Sequence, residues 1–271
     1  MAQKMKDVLK YGRDFLNENG VDSREARLLL ANTLQVEPAE LIKITECTDG
    51  DFDRYVIDLR RRAAGEPFAY IAGRKEFMKL PFMVNKNVLI PREDTEILVL
   101  EAIKQGKTRI LDLCTGSGCI AISLAKYLSN AEVDASDISS RALVVAKKNA
   151  VLNGVKVNFI QSDLFENIEK KYEMIVSNPP YIRKEELKYL QAEVKREPKR
   201  ALDGGKSGLD FYEKIIAEAN YYLKPHGTLL LEIGFDQAKE VTEILKECHY
   251  RKIKKVKDLS GNDRVIIAER G

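Results

Sequence analysis

The sequence predicts an α/β fold in which a doubly wound, mostly parallel sheet of seven strands follows a small all-α domain. Three observations carry this prediction. Strand and helix patterns alternate from residue 108 onward, a glycine-rich turn follows the first of those strands, and residues 1–65 show only helical spacing. Alternating strands and helices are typical of a parallel sheet with helices on both faces. A chain of 271 residues with 44% hydrophobic residues can bury the core that such a fold needs.

Composition and charge exclude several classes of protein. The net charge is +3, which is too small to indicate nucleic-acid binding by itself. The four cysteines include no Cys-x-x-Cys pair and the chain has two histidines, so we predict no metal site. No apolar run has the length of a membrane span, and the N-terminus lacks the apolar segment of a signal peptide. We therefore expect a cytoplasmic protein without membrane contact.

Residues 1–72 are predicted to form a helical domain. Asp22 followed by Glu25 has the pattern of a capping box for the second of three helices. No catalytic spacing occurs in this part, which favours a substrate-recognition role, and the cluster Arg60–Arg62 is predicted to be a solvated helix face. The apolar residues at helical spacing are Val8, Tyr11, Phe15, Leu16, Leu28, Leu29, Leu30, Leu34, Phe52, Tyr55, Val56 and Leu59.

Residues 73–91 are predicted to form a β-hairpin linker, and residues 92–271 a third, larger domain. Apolar and β-branched residues alternate with turn formers in the linker, and its turn is placed near Asn85-Lys86-Asn87. Pro91 and the residues after it predict the start of a helix, with Asp94 or Thr95 as its N-cap.

The remaining pattern supplies the strands of the sheet. A turn at residues 260–262 joins the last two strands, so at least one of them is expected to run antiparallel. A turn is also predicted at residues 225–227, and the polar segment 196–210 is expected to lie over the carboxyl ends of the strands. The predicted strands are 109–113, 132–136, 157–160, 172–176, 228–233, 250–256 and 264–268.

The first three strands end in residues suited to a nucleotide-type ligand. Cys114-Thr115-Gly116-Ser117-Gly118 follows the first strand and precedes a helix, which is a Rossmann-like arrangement although the full G-x-G-x-x-G pattern is missing. Asp137, about 20 residues after the glycines, can bond ribose hydroxyls. A helix N-cap is the alternative for Asp137. Asp163 can receive the amine of an adenine ring, with Leu164 against that ring.

The fourth strand delivers the stretch Asn178-Pro179-Pro180-Tyr181. The Asn178 amide oxygen and the Pro179 carbonyl oxygen are both hydrogen-bond acceptors, and together they can take both hydrogens of a planar –NH2 group. Such a nitrogen is a poor nucleophile, so acceptors that orient it favour attack. Tyr181 can stack on the planar group and exclude water. A simple Asn-Pro turn is the alternative for this stretch.

The chain resembles the release factor glutamine methyltransferase (PrmC/HemK) family of class I S-adenosylmethionine-dependent methyltransferases. The Asn-Pro-Pro-Tyr motif also occurs in N6-adenine and N4-cytosine methyltransferases, but all the matching stretches together are far more specific than this tetrapeptide. Cys114 stands where many relatives have glycine, so we expect its backbone to avoid the geometry that only glycine favours. The matching stretches are residues 65–73, 76–77, 89–96, 112–118, 178–181 and 201–205.

This resemblance implies methyl transfer from S-adenosyl-L-methionine to the side-chain nitrogen (N5) of the glutamine in the Gly-Gly-Gln motif of class 1 peptide chain release factors, with S-adenosyl-L-homocysteine as the product. It implies that Asn178, Pro179, Pro180 and Tyr181 bind the glutamine and are the catalytic residues. We expect a monomer without stable nucleic-acid binding. The implied cofactor contacts are Cys114, Thr115, Gly116, Ser117, Gly118, Asp137, Asp163, Leu164 and Asn178.

Two other functions remain open on the sequence alone. A DNA N6-adenine methyltransferase could use the same motif on a flipped base, although its basic clusters, residues 60–62, 195–200 and 252–257, are small. A non-catalytic nucleotide-binding module would use the Rossmann-like part and leave the Asn-Pro-Pro-Tyr stretch unexplained.

Overall fold

The computed structural model describes residues 3–271, which form two compact units. The first unit comprises the described residues up to Gly73 together with Gln191–Arg196. The second comprises Arg74–Leu190 and Glu197–Gly271. Across residues 3–271, no helix is long and apolar enough to cross a membrane.

The first unit is built from helices, as predicted. Their apolar stripes enclose a core that includes Val8, Leu16, Tyr55 and Leu59. The elements are β1 (Gln3–Lys4), α1 (Met5–Glu18), α2 (Glu25–Leu34), a 3-10 helix (Pro38–Lys43), β2 (Glu46–Cys47), α3 (Asp49–Ala63) and α4 (Phe68–Ala72), and β1 pairs with β2.

Two details of the predicted helical domain are wrong. Asp22 and Glu25 form no capping box, because the Asp22 carboxylate accepts hydrogen bonds from the backbone and guanidinium of Arg24 and α2 begins only at Glu25. Leu28 faces solvent, with 40% of its surface exposed, while Leu29 and Leu30 are buried. In a run of three leucines on one helix, the 100° step between neighbours turns at least one of them away from the core.

The prediction of a solvated face at Arg60–Arg62 is wrong for Arg62. Its side chain is only 6% exposed and forms ion pairs with Glu25 in α2 and with Glu193. Arg61 pairs with Glu66 and Asp58, and Arg60 stays exposed. A run of like charges along a helix points in different directions, so one member can lie inside while its neighbours meet solvent.

The second unit contains a seven-stranded sheet, which confirms the predicted fold class. Its order is β10-β11-β9-β8-β5-β6-β7, and β11 runs antiparallel to both of its neighbours while the other pairs are parallel. The strands are β5 (Arg109–Leu113), β6 (Glu132–Asp137), β7 (Asn158–Gln161), β8 (Tyr172–Ser177), β9 (Leu223–Glu232), β10 (Arg251–Lys257) and β11 (Asp263–Glu269).

Helices accompany this sheet, and two apolar clusters form its core. One cluster includes Leu111, Ile175, Leu229 and Ile266, and the other includes Ile110, Val176, Leu230 and Val265. Neighbouring residues of one strand point to opposite faces of the sheet. Because such neighbours belong to different clusters, the sheet is covered by apolar side chains on both faces. The helices are α5 (Glu93–Lys104), α6 (Cys119–Tyr127), α7 (Ser140–Leu152), α8 (Asp210–Tyr222) and α9 (Ala238–Glu247), with 3-10 turns at Leu187–Tyr189 and Lys199–Ala201. A further 3-10 turn, Val194–Arg196, belongs to the first unit.

The hairpin before the sheet exists, but its turn does not lie where the sequence predicts it. Strands β3 (Arg74–Phe77) and β4 (Leu80–Met83) are joined by Met78 and Lys79, both with positive φ. A two-residue hairpin turn needs such angles, and they normally favour glycine or asparagine. The asparagines at 85 and 87 therefore gave a stronger turn signal, although they form only a local turn in which Asn85 Oδ1 accepts from the Asn87 N–H.

Two further boundaries differ from the prediction. Helix α5 begins at Glu93 after Arg92, so neither Asp94 nor Thr95 is its N-cap. The Asp94 carboxylate pairs with Arg264, and the Thr95 hydroxyl accepts a hydrogen bond from Asn178. The residues of the predicted turn at 225–227 lie within β9, where pairing with β8 jumps from Leu223 to Thr228 and the chain bulges.

Candidate active site

A cavity of about 350 Å³ opens at the carboxyl edge of the parallel strands in the second unit. Strands β8, β5, β6 and β7 are neighbours in that order, so the segments after them meet at one edge. The volume lies in the range of small-molecule sites. The lining residues include Asn87, Val88, Leu89, Cys114, Gly116, Ser136, Asp137, Ile138, Ser162, Asp163, Leu164, Asn178, Pro180, Pro198, Arg200, Ala201, Phe211 and Lys214.

The turn after β5 brings two of its five predicted residues to the cavity, Cys114 and Gly116. Cys114 has φ +61°, so the expectation of a geometry away from glycine's is wrong. The strand register fixes it, because the next N–H, that of Thr115, donates to the Ser136 carbonyl oxygen at 2.9 Å. Burial raises the pKa of the Cys114 thiol, which favours the neutral group.

Thr115, Ser117 and Gly118 lie outside the cavity lining and shape the turn. The Thr115 hydroxyl donates to Asp112 Oδ2 at 2.6 Å, and Gly118, at φ +82°, precedes α6. A Cβ at Gly118 would lie 3.1 Å from the Ala146 Cβ, so α7 packs closely on this turn. Burial raises the pKa of Asp112 to about 7, while the hydrogen bonds from Thr115 and the Ala121 N–H oppose that rise.

Asp137 ends β6 and ties two backbone segments together at the cavity. Its Oδ2 accepts from the Gly116 N–H at 2.9 Å, and its Oδ1 accepts from the Ser139 N–H at 2.8 Å. The N-cap of α7 is Ser139, whose hydroxyl accepts from Ala142, so the N-cap alternative for Asp137 is wrong. Burial raises the pKa of Asp137, and the two N–H donors oppose that rise.

The segment after β7 adds one polar and one apolar group. Asp163 is exposed at the cavity wall, while Leu164 is buried and has φ +45°. Ser162 holds this bend, because its hydroxyl donates to the Leu164 carbonyl oxygen and accepts from the Asn167 N–H, both at 2.9 Å.

Asn178 follows β8 and lines the cavity together with Pro180. Its amide Nδ2 donates to the Thr95 hydroxyl at 3.2 Å, so the nitrogen of the amide points into the protein. Pro179 is buried and Tyr181 is half-buried, and neither is among the lining residues. The Tyr181 carbonyl oxygen accepts from Gln237 Nε2 at 3.0 Å. Burial and the nearby Glu232 carboxyl raise the pKa of the Tyr181 phenol.

The glycines of the segment 201–205 pack directly against the Asn-Pro-Pro-Tyr motif. The Ile182 N–H donates to the Leu202 carbonyl oxygen at 3.0 Å, and the Gly204 N–H donates to the Ile182 carbonyl oxygen at 2.8 Å. A Cβ on Gly204 would lie 2.7 Å from the Tyr181 Cα. Only glycine fits this approach, which explains why the chain needs one here.

Sequence reasoning missed two residues beside Asn178, Thr95 and Glu232. Glu232 ends β9 at the same sheet edge and is only 1% exposed. The rule that found Asp137, a polar residue at the carboxyl end of a buried strand, could have found Glu232 too. Thr95 gave no such signal, because it lies in the first turn of a helix and reaches Asn178 only through the tertiary fold.

Comparison with known proteins identifies the family. Residues 93–206 match the family model described as "Methyltransferase small domain", and residues 7–73 match "PrmC N-terminal domain". A release factor glutamine methyltransferase of Fusobacterium nucleatum is 40% identical over 97% of this chain and 78% of its own. One of Thermodesulfovibrio yellowstonii is 38% identical over 95% of this chain and 96% of its own. The chain belongs to the release factor glutamine methyltransferase family. The prediction that this chain is a methyltransferase of this family is thereby confirmed, and the alternative of a DNA adenine methyltransferase is not favoured.

Solved structures agree with the fold of this family. A methyltransferase of Pyrococcus furiosus has a TM-score of 0.57 at 21% identity, covering 83% of this chain and 100% of its own. The ribosomal protein L11 methylase of Lactobacillus delbrueckii has a TM-score of 0.53 at 20% identity, covering 69% and 83%. At such identities the likeness concerns the sheet and its helices alone.

Proposed function

We propose that this protein methylates the side-chain amide nitrogen of the glutamine in the Gly-Gly-Gln motif of class 1 peptide chain release factors. The observation that carries the proposal is the setting of Asn178. Its amide nitrogen is engaged by Thr95 inside the protein, which leaves the amide oxygen for a ligand in the cavity. An acceptor at this place suits a donor-rich, planar –NH2 group.

S-adenosyl-L-methionine is proposed as the ligand of the cavity. The lining residues suit it: Asp137 can accept hydrogen bonds from the ribose hydroxyls, Asp163 can accept one from the adenine amine, and Leu164 can pack against the ring. Cys114 and Gly116 form the wall beside the remainder of the ligand. Thr115, Ser117 and Gly118 are proposed to act by shaping this turn. When bound, the cofactor supplies an activated methyl group and leaves as S-adenosyl-L-homocysteine.

The residues of the motif are proposed to orient the substrate amide. Asn178 Oδ1 and the Pro179 carbonyl oxygen accept the two amide hydrogens and favour lone-pair density on the nitrogen. Pro180 forms part of the cavity wall, and Tyr181 covers the bound amide and excludes water. After methyl transfer, the amide nitrogen releases one proton to water, so no protein base is needed.

The domain division 1–72, 73–91 and 92–271 is proposed to separate substrate recognition, linkage and catalysis. The partner is a release factor, and we propose a monomeric enzyme. Because release factors act on ribosomes, we place the reaction in the cytoplasm.

Charge pairing speaks against the DNA alternative. In the cluster 252–257, Lys252 pairs with Glu269, Lys254 with Glu101, and Lys255 and Lys257 with Asp263. Phosphate binding needs cations that are free to replace counterions. A non-catalytic module would not need an amide acceptor at the cavity edge, so it leaves Asn178 without a role.

Tritiated S-adenosyl-L-methionine and two parallel acceptors test the proposal. One acceptor is a class 1 release factor, with a Gly-Gly-Gln glutamine-to-alanine variant as control, and the other is unmethylated duplex DNA. We expect label in the release factor and none in the control or the DNA. Label in DNA alone would overturn the proposal, and tight cofactor binding without any labelled acceptor would favour the non-catalytic module.

A further inference from the structure

A buried polar cluster lies behind Asn178, on the side away from the cavity. Thr95, in the first turn of α5, is 2% exposed, and Glu232, the last residue of β9, is 1% exposed. The β8–β9 register pairs Ser177 with Leu231, so the residues that follow, Asn178 and Glu232, are neighbours. Three different elements therefore bring one amide, one hydroxyl and one carboxyl together.

The hydrogen bonds of this cluster have a defined direction. Asn178 Nδ2 donates to Thr95 Oγ1 at 3.2 Å, so the hydroxyl oxygen acts as an acceptor there. Burial raises the pKa of Glu232 to about 7, and hydrogen bonds from the Thr95 and Asn178 side chains oppose that rise. Above that pH the Glu232 carboxylate can only accept, so the Thr95 hydroxyl donates its hydrogen bond to it. The Thr95 oxygen then has only lone pairs to offer to Asn178.

Arg264 in β11 supports the charged form of Glu232. The Arg264 side chain is 11% exposed, and its charge attracts the Glu232 carboxylate, while Asp94 acts in the opposite direction. The guanidinium is itself held by ion pairs with Asp94 at 3.3 Å and Asp258 at 3.1 Å. It can therefore act on Glu232 from a fixed position.

This direction decides which end of the Asn178 amide meets the substrate. A carboxamide has a donor end and an acceptor end of nearly the same shape, so packing alone does not choose between them. With acceptors only at its inner side, Asn178 must turn its nitrogen inward. Its Oδ1 is then left for the cavity, and within residues 3–271 it accepts no hydrogen bond.

We propose that Thr95 and Glu232 are positioning residues, which hold the Asn178 amide with its nitrogen inward and its oxygen toward the amide that receives the methyl group. This inference rests on the proposed function, because the acceptor matters only if the substrate presents an –NH2 group. Neither residue touches the substrate, and both act through Asn178.

The first test compares Thr95→Val with Thr95→Ser. Valine keeps the shape of threonine but has no hydroxyl, whereas serine keeps the hydroxyl. We expect T95V to lower kcat for release factor methylation about 10- to 100-fold, because the acceptor is no longer fixed. T95S is expected to keep a kcat close to that of the parent, and the Kd for S-adenosyl-L-methionine should stay nearly unchanged in both. If Thr95 were merely structural, T95V would lower the melting temperature while the folded enzyme kept the parental kcat.

The second test uses Glu232→Gln, alone and combined with T95V, and it remains available if T95V does not fold. A carboxamide at 232 can donate as well as accept, so the direction of the Thr95 hydroxyl is no longer specified. We expect E232Q to lower kcat less than T95V does, and the double variant to equal T95V because the chain is already broken. Unchanged kcat in T95V or in E232Q, or additive losses in the double variant, would overturn the inference. A parent that does not methylate the release factor would instead overturn the proposed function.

Discussion

Asn178 is expected to contribute far more to the rate of methyl transfer than to cofactor affinity. Asn178→Ala removes one of the two acceptors for the substrate amide, and loss of one preorganised hydrogen-bonding group costs about 100- to 1000-fold in kcat. The remaining strand ends still hold the cofactor, so its Kd should change less than about tenfold. Single-turnover methylation and calorimetric titration with S-adenosyl-L-methionine measure the two effects.

Asn158→Ala provides a matched control for this prediction. Asn158 begins β7, at the end of the strand away from the cavity, and its Nδ2 donates to Asp134 Oδ1 at 3.1 Å. Its removal also deletes an amide and one hydrogen bond, yet the methylation rate should stay at the parental level. A parental rate in the Asn178→Ala enzyme would contradict the role given to Asn178.

Gly204 is expected to be essential for catalysis because there is no room for a side chain at this position, and not because it takes part in the reaction. In Gly204→Ala, the new Cβ would lie 2.7 Å from the Tyr181 Cα and 2.9 Å from the Pro180 carbonyl oxygen, so backbone must move at the motif. A displacement of about 1 Å at a reacting group can cost roughly 100-fold in rate. Gly50→Ala is the control, since no atom lies within 4 Å of a Cβ there. Comparable kcat values in the two variants would show that the motif does not depend on this contact.

At the scale of single elements, the buried end of α3 is expected to stabilise the first unit. Arg62→Ala would leave Glu25 and Glu193 without their shared partner. Because these carboxylates are 23% and 42% exposed and stay partly hydrated, we expect a loss of about 1–3 kcal/mol. Urea unfolding followed by circular dichroism measures the loss. Arg60→Ala, on the exposed side of the same helix, should change the free energy of unfolding by less than about 0.5 kcal/mol. A loss at Arg62 as small as that at Arg60 would refute the stabilising role of the buried pair.

The position of β10 at the edge of the sheet explains why this strand carries a cluster of basic residues. Its five basic residues lie at the open edge of the sheet, where β11 is its only strand neighbour within residues 3–271. Lysines on an edge strand prevent pairing with another chain. The residues of this small basic cluster therefore have a structural explanation, and four of the five pair with an acidic side chain.

For the whole molecule, features that follow from the order of strands and helices along the chain could be predicted from the sequence. Features that depend on contacts between residues distant in sequence could not. The strand ends at Gly116, Asp137, Asp163 and Asn178 could be placed together because parallel neighbours share one edge. The contacts that Arg62, Asn178 and Gly204 make could not be predicted, because the residues in contact with them are distant in sequence and are brought close only by tertiary packing. The hairpin turn at Met78-Lys79 was not predicted, because strand pairing holds these two residues at positive φ angles that their residue types do not favour.

The last prediction concerns how the stability of the fold depends on pH. Burial raises the pKa of Asp112 and of Glu232 to about 7, so the folded protein holds these protons more tightly than the unfolded chain does. Stability should therefore fall as the pH rises from about 4 to about 7, by at most about 1.4 kcal/mol per pH unit for each group, and level off above. Glu173 acts in the opposite sense, but its pKa, lowered to about 2, confines its effect to more acidic solution.

Scanning calorimetry across this range tests the sign and the source of the slope. Asp112→Asn cannot ionise, so its melting temperature should fall less between about pH 5 and 7 than that of the parent, because the cost of a buried charge at 112 is gone. Exposed Asp53→Asn controls for the substitution itself and should keep the parental slope. A melting temperature that rises with pH in the parent, or a parental slope in Asp112→Asn, would mean that Asp112 is ionised at little cost. The Thr115 hydroxyl and the Ala121 N–H would then have to solvate the carboxylate as well as water does.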